Sequence, residues 1–124
     1  MTNSQKNFAF PRESRLLKGS EYTGAMKQSD SIVKSKGIIC FVKKNSEGHS
    51  RLGLAIPKKK VRRAVDRNRI KRLFREAFRQ KKRDFCFFDV VMMPSGATVN
   101  MENIEIFSSL NHIFTQLEIL TLSD

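Results

Sequence analysis

The sequence of 124 residues lacks the features that mark secreted and membrane-spanning proteins. It has two cysteines, Cys40 and Cys86, too few for a disulfide scaffold, so buried reduced thiols are expected. Its N-terminus has no apolar stretch of the kind that signal peptides carry. The longest apolar segment, 85–93, is interrupted by Asp89 and is far too short to span a bilayer. These absences indicate a soluble, cytoplasmic protein.

The common catalytic and metal-binding motifs are also missing. The two histidines, His49 and His112, have no metal-ligand spacing around them. There is no Gly-x-x-x-x-Gly-Lys loop and no nucleophile elbow. Asp66 and Glu76 lie among arginines, which favours ion-pair partners over an acid–base pair. The sequence therefore offers no residues for a protein nuclease.

Acidic residues are few. The chain has 12 Asp and Glu and 24 Lys and Arg, which gives a net charge of +12. Residues 58–83 hold fourteen basic and two acidic residues and so carry the whole excess. A solvated helix usually mixes Glu with Lys, because each i, i+4 pair of opposite charge stabilises by about 0.2–0.5 kcal/mol. This segment instead places like charges close together. A polyanionic partner is expected, nucleic acid first and an anionic membrane surface second.

Length and composition predict one folded domain, because 40% hydrophobic residues and ten Phe can build a core. Residues 1–11 are predicted to form a flexible arm and residues 12–120 the domain. Six elements are predicted, in the order helix, strand, strand, helix, strand, helix: 12–26, 38–42, 52–56, 68–82 with a start near Ala64, 85–93, and a C-terminal helix. The turn signal at 45–48 indicates a hairpin between the first two strands, and segment 85–93, apolar on both faces, indicates an internal strand. This order predicts a two-layer α/β sandwich with a small mixed sheet.

Both later helices are predicted to bury one face. In the basic helix the apolar face consists of Ile70, Leu73, Phe74, Ala77 and Phe78. In the C-terminal helix the apolar stripe is expected to consist of Ile104, Phe107, Leu110, Phe114 and Leu117. The cationic residues of the basic helix are then left facing away from the core.

Two groups of residues leave alternatives open. The amide of Asn68 could read a base edge or a 2′-hydroxyl, or it could cap the helix. Tyr22, Met26 and Phe41 could stack on an unpaired base, a contact worth about 1–3 kcal/mol. These three side chains could instead belong to the core, and composition alone favours that alternative.

The basic helix carries a specific motif, RNRIKRLFRE, at residues 67–76. This motif resembles the Arg-Asn-Arg signature helix of the bacterial ribonuclease P protein family. The preceding segment, 52–60, resembles the strand and lysine-rich loop that lead into that helix. The order of elements agrees with the family from Arg12 to about Leu117, which covers most of the chain.

The resemblance implies an accessory protein subunit of an endoribonuclease. Family members bind a large catalytic RNA, and that RNA removes the 5′ leader from precursor tRNA. The expected partners are therefore the catalytic RNA and precursor tRNA, with no membrane partner, and the protein alone is expected to be a monomer. Mg²⁺ is expected to act through the RNA, with no cofactor bound by the protein alone. The runner-up is a ribosome-associated or general RNA-binding module with no role in cleavage.

The family's functional residues carry over by position. The residues expected to bind RNA are Lys58, Lys59, Lys60, Arg67, Asn68, Arg69, Lys71, Arg72, Arg75 and Arg79. The residues expected in the leader-binding cleft are Tyr22, Met26 and Phe41, although Met26 stands where the family commonly has an aromatic. The resemblance also implies a left-handed crossover through the basic helix, against the right-handed rule for parallel strands.

Overall fold

The computed structural model describes residues 27–45, 49–81 and 88–122. Their elements, in chain order, are β1 (Ser31–Ser35), β2 (Ile38–Lys44), β3 (Arg51–Leu54), α1 (Ala64–Lys81), β4 (Phe88–Pro94), a 3₁₀ helix (Gly96–Asn100) and α2 (Asn103–Leu122). The predicted arm at 1–11, the predicted helix at 12–26 with Tyr22 and Met26, and Cys86 all lie outside the described residues.

The strands form one mixed sheet in the order β1-β2-β4-β3. β2 pairs antiparallel with β1 and with β4, whereas β3 pairs parallel with β4. The predicted hairpin between β2 and β3 is therefore wrong, because β4 lies between them. A turn signal reports only that the chain reverses, whereas β4 is buried on both faces and takes the internal position. Parallel strands need a crossover connection, and α1 supplies it; the left-handed sense of that crossover stays a prediction.

The hairpin in this sheet joins β1 to β2 through the turn Lys36-Gly37. Gly37 has φ 78°, in the left-handed region that glycine enters without steric cost. A Cβ at this position would lie 2.6 Å from Met101 Sδ. The Gly37 carbonyl accepts hydrogen bonds from Ser95 N at 2.9 Å and from Thr98 Oγ1 at 2.5 Å. The turn is therefore bound to the 3₁₀ helix, which sequence patterns did not indicate.

Helix α1 buries the face that its periodicity predicts. It begins at Ala64, and its buried residues are Ile70, Leu73, Phe74, Ala77 and Phe78. They pack in one core with the helix-facing residues of the sheet, which include Ile38, Cys40, Val42, Val90 and Met92. Cys40 is fully buried, and desolvation raises the pKa of its thiol well above the ordinary range. The prediction of a buried thiol is confirmed for Cys40.

Helix α2 buries a stripe that differs from the predicted one. Its fully buried apolar residues are Ile106, Leu110, Ile113, Phe114 and Leu117. Ile104 is 75% exposed, so its predicted burial is wrong, and Phe107 is only partly buried. Three residues fall about 60° short of a full helical turn, so the two steps from 110 back to 107 and 104 place Ile104 about 120° from Leu110 around the helix. The buried residues 106, 110, 113 and 117 are separated by steps of four, three and four, which keep them on one side.

The first turn of α2 is closed by Glu105. Its Oε1 accepts a hydrogen bond from Glu102 N at 3.0 Å, in the manner of a capping box. Its Oε2 accepts a hydrogen bond from Lys36 Nζ at 3.2 Å, which joins α2 to the β1–β2 turn. The backbone hydrogen bond first, and then the lysine, lower the pKa of Glu105 below its ordinary value of 4.5. Among the described residues, no helix is both long enough and apolar enough to cross a membrane.

Candidate nucleic-acid interface

Three polar residues form an exposed row along α1, on the side opposite the core. Asn68, Arg72 and Arg75 are all exposed, and at about 100° per residue they fall within about 60° of one another. Within the described part of the chain none of the three has a hydrogen-bond or ion-pair partner. Asn68 lies well inside the helix, so its alternative role as the helix cap is excluded. The row therefore offers one amide and two guanidinium groups to a ligand.

The lysine loop, which we define as residues 57–63, directly precedes α1 in the chain. Pro57 O accepts hydrogen bonds from Lys60 N at 3.1 Å and from Val61 N at 2.9 Å, so the chain turns tightly here. Val61 is fully buried and anchors the turn in the core. Residues 58–60, three lysines, are all exposed as a result. Arg62 and Arg63, which the predicted site does not include, are exposed in the same loop.

Arg67 and Arg69, the two arginines of the signature, direct hydrogen bonds into the protein. Arg67 Nη1 donates to Val61 O at 3.1 Å and to Arg62 O at 2.7 Å, and so binds the lysine loop. Arg69 donates from Nε and from Nη2 to Asn103 Oδ1, at 3.0 and 2.7 Å. Its Nη2 also donates to Met101 O at 2.6 Å. Both side chains are half-buried, in contrast to Asn68 between them.

The acidic residues of the basic segment are ion-pair partners, as predicted. Glu76 Oε2 accepts a hydrogen bond from Arg79 Nη2 at 2.6 Å, and the Arg79 side chain is only 15% exposed. Asp66 lies 3.8 Å from Arg63 and also falls in the first turn of α1, where a negative charge favours the helix dipole. Lys71 is half-buried. Arg79 and Lys71 are therefore less accessible than the exposed row, although the sequence pattern groups them with it.

Phe41 lies on the sheet face that points away from α1 and α2. We call it the open face, although Val91 on this face is fully buried. Its cross-strand partners are Ile32 on β1 and Val91 on β4. Phe41 is half-buried and is absent from the core between sheet and helices, while Ile32 is 53% exposed. Lys34 and Lys43 lie on the same face, since alternate strand residues share one side of a sheet. Sequence reasoning missed these two lysines. The signal was their spacing, because Lys34 and Lys43 each follow an apolar residue, Ile32 or Phe41, by two positions, and this spacing places both side chains on one face of a strand.

A buried ion pair borders the open face. Asp89 Oδ1 accepts hydrogen bonds from Arg51 Nε at 2.8 Å and from Asn45 Nδ2 at 2.7 Å, and Oδ2 accepts one from Arg51 Nη2 at 2.8 Å. In the strand register, Asp89 lies next to Lys43 of β2 on one side and next to Arg51 of β3 on the other. The carboxylate that interrupts the apolar β4 is thus neutralised by a bidentate arginine. Among the described residues, no group of three or more His, Cys, Asp or Glu side chains is placed to hold a metal ion.

These features define a class of protein: a small two-layer α/β fold that displays its excess positive charge along one helix and the loop before it. The profile of the Ribonuclease P family matches residues 10–118. The chain therefore belongs to the Ribonuclease P family, as a protein component of a tRNA-processing endoribonuclease.

Individual relatives agree with this membership. Over 109 residues the chain is 37% identical to the ribonuclease P protein component of Alcanivorax borkumensis, which covers 88% of this chain and 90% of the relative. Over 112 residues it is 42% identical to that of Thioalkalivibrio sulfidiphilus, with 87% and 89% covered. The structure of the Staphylococcus aureus RNase P protein superposes with a TM-score of 0.76 at 28% identity, covering 82% of this chain and 93% of that one. The Thermotoga maritima RNase P protein, at 24% identity and a TM-score of 0.72, covers 84% and 94% and shows the same fold.

Proposed function

We propose that this chain is the RNA-binding subunit of ribonuclease P. In this role it binds the catalytic RNA and the 5′ leader of precursor tRNA in the cytoplasm, and it promotes removal of the leader to give the mature 5′ end. The observation that carries the proposal is the set of exposed cationic side chains on α1 and the lysine loop in a member of this family. The catalytic groups are assigned to the RNA, and the Mg²⁺ of the reaction is assigned to RNA sites.

The chemistry of the α1 surface suits folded RNA. Arg72 and Arg75 have free guanidinium groups, whose planar forks match phosphate bidentately. The lysines of the loop add compact charges that bind phosphate without strict geometry. Asn68, between these cations, can donate to and accept from a base edge or a 2′-hydroxyl.

The open face suits a single-stranded leader. Phe41 offers a partly exposed ring on which an unpaired base could stack, and Lys34 and Lys43 on the same face can attract the leader phosphates. We assign Tyr22 and Met26 to the same cleft on the strength of the family resemblance. The two surfaces then have separate ligands: α1 binds the catalytic RNA, and the open face binds the leader of the substrate.

The first test is 5′-leader cleavage of a precursor tRNA at low Mg²⁺, with a bacterial ribonuclease P RNA in the presence and absence of the protein. We expect strong stimulation by the protein and no cleavage by the protein alone. Tight RNA binding without stimulation would contradict the subunit role and leave a general RNA-binding module. Cleavage by the protein alone would refute the assignment of catalysis to the RNA.

The second test separates the two surfaces. Arg72→Ala and Arg75→Ala should each weaken catalytic-RNA binding and flatten its salt dependence by somewhat less than about 1 in log–log slope. Lys36→Gln is the charge-matched control, because Lys36 is exposed and lies outside both surfaces. Phe41→Ala should weaken binding of leader-bearing precursor more than binding of mature tRNA, and equal losses would remove Phe41 from the leader cleft.

A further inference from the structure

The Arg-Asn-Arg triplet of α1 points in three directions. On a helix, residues 67 and 69 lie about 100° to either side of residue 68. Asn68 therefore faces solvent at the N-terminal end of the exposed row, while the two arginines lie on the flanks of α1. Each flank adjoins a different part of the protein, and each guanidinium is bonded to that part.

Arg69 joins α1 to the beginning of α2. Three of its five N–H donors are occupied, two on the side chain of Asn103 and one on the backbone carbonyl of Met101. Asn103 is the first residue of α2, and Met101 is 5% exposed in the core. The contact thus links residues 32 and 34 positions apart in the chain and joins α1 to the start of α2.

Arg67 joins α1 to the lysine loop. Its Nη1 donates to two successive backbone carbonyls, those of Val61 and Arg62, immediately after the three lysines. Since Val61 is fully buried, the guanidinium holds the end of the loop at a point that the core already anchors. The direction of the exposed lysines relative to α1 depends on this contact.

We infer that Arg67 and Arg69 are positioning residues: they hold the lysine loop and α1 in the geometry that binds RNA, and they do not themselves bind phosphate. The groups that contact the RNA are then Asn68, Arg72 and Arg75 with the loop lysines. Arg69 has only the two N–H donors of Nη1 left for a phosphate, and its guanidinium is held by the other three, whereas all five donors of Arg72 and of Arg75 are open with respect to the residues that the structure describes. Because it concerns RNA binding by α1, this role rests on the proposed function.

The experiment measures catalytic-RNA affinity against salt for full-length variants, well below their unfolding temperatures. Arg69→Lys keeps the charge but cannot form the forked contact, so we expect an affinity loss of about tenfold, equivalent to roughly 1.4 kcal/mol. Its salt slope should stay at the wild-type value. Lys36→Arg, which conserves the charge of an exposed residue outside both surfaces, is the matched control and should bind as wild type.

Asn103 provides an independent test, because it carries no charge and is outside the predicted RNA-binding set. Asn103→Ala should weaken RNA binding by the same order as Arg69→Lys, and the double variant should be no weaker than Arg69→Lys alone. Asn103→Asp retains an oxygen acceptor for Arg69 and should restore affinity relative to Asn103→Ala. Ile113→Val, a buried α2 variant, controls for general loss of stability and should leave RNA affinity unchanged.

Two results would overturn the inference. Wild-type binding by Arg69→Lys, together with a salt slope that Arg69→Ala flattens as Arg72→Ala does, would make Arg69 a phosphate contact. Alternatively, full affinity in Asn103→Ala would show that the contact between the helices has no bearing on RNA binding. If Arg72→Ala and Arg75→Ala changed neither affinity nor slope, the proposed α1 surface would itself fail, and this inference with it.

Discussion

Removing Asp89 from the Arg51–Asp89 ion pair is expected to destabilise the sheet strongly. The Asp89 carboxylate accepts three hydrogen bonds of 2.7–2.8 Å, two from Arg51 and one from Asn45. Removing one partner of a buried ion pair costs about 3–5 kcal/mol, because the remaining charge stays desolvated without compensation. The Arg51 and Asp89 side chains are 18% and 10% exposed, so water can partly solvate the guanidinium once this carboxylate is removed. The lower end of the range, about 3 kcal/mol, is therefore expected for Asp89→Ala.

Equilibrium urea unfolding of the full chain measures this loss. Asp89→Ala should lower the midpoint with little change in the slope of free energy against urea, since the surface exposed on unfolding stays similar. Asp89→Asn keeps the shape of the side chain but removes its charge, and it should lose nearly as much stability because the Arg51 guanidinium again loses this carboxylate. The control is Lys36→Gln, which breaks a pair whose side chains are 71% and 42% exposed and should cost little stability, because water solvates both groups once they separate.

The reasoning would be refuted if Asp89→Ala cost no more than Lys36→Gln. Such a result would mean that the guanidinium of Arg51 recovers its hydration when the carboxylate is removed. If Asp89→Ala were costly but Asp89→Asn were neutral, the loss would come from packing of the side chain and the ionic argument would fail.

Three further predictions concern the turn, the start of α2 and the thiol. Gly37→Ala should destabilise the protein by at least about 1–2 kcal/mol in urea unfolding, because φ 78° is costly for alanine and the new Cβ would meet a methionine sulfur at 2.6 Å. Gly96→Ala is its control, since a Cβ there would meet nothing closer than 3.8 Å, and equal losses would contradict the argument. The pKa of Glu105 is lowered in the folded state, so its contribution to stability is present above the ordinary value of 4.5 and is lost as the pH falls through the lowered value. In Glu105→Gln, the free energy of unfolding should therefore fall less steeply as the pH drops below 4.5. The same pH dependence in the variant and the wild type would exclude this role. In a Cys86→Ser background, the thiol of Cys40 should react with an alkylating reagent only in urea, because burial raises its pKa and blocks access; rapid reaction of the native protein would contradict the buried position.

The faces of α1 could be predicted because they depend on local periodicity. Five apolar residues at three- and four-residue steps, 70, 73, 74, 77 and 78, can share a buried side only in a helix, and the structure buries all five. The same reasoning misplaced Ile104 on α2, where the pattern offered two overlapping stripes. Periodicity identifies a face, but the neighbours of a helix decide which stripe is covered.

Strand pairing could not be predicted in the same way. The segments of β2, β3 and β4 were recognised from composition, yet their order in the sheet came out differently because β4 inserts between β2 and β3. β1 was missed because it is a short edge strand with exposed residues at alternate positions. Pairing depends on contacts between segments distant in the chain, and no local pattern records them.

The sequence by itself determined three properties of the protein. The motif at 67–76 identifies the family, the local net charge identifies a cationic surface, and the helical period identifies the buried face of α1. Only the tertiary structure decided what each charge in that motif does. Arg67 and Arg69 bond to the loop and to α2, while Arg72 and Arg75 remain open to solvent, although all four are the same residue type on one helix. The physical reason is that a guanidinium donates to whichever acceptors lie within hydrogen-bond reach, and the position of those acceptors is set by the packing of other elements.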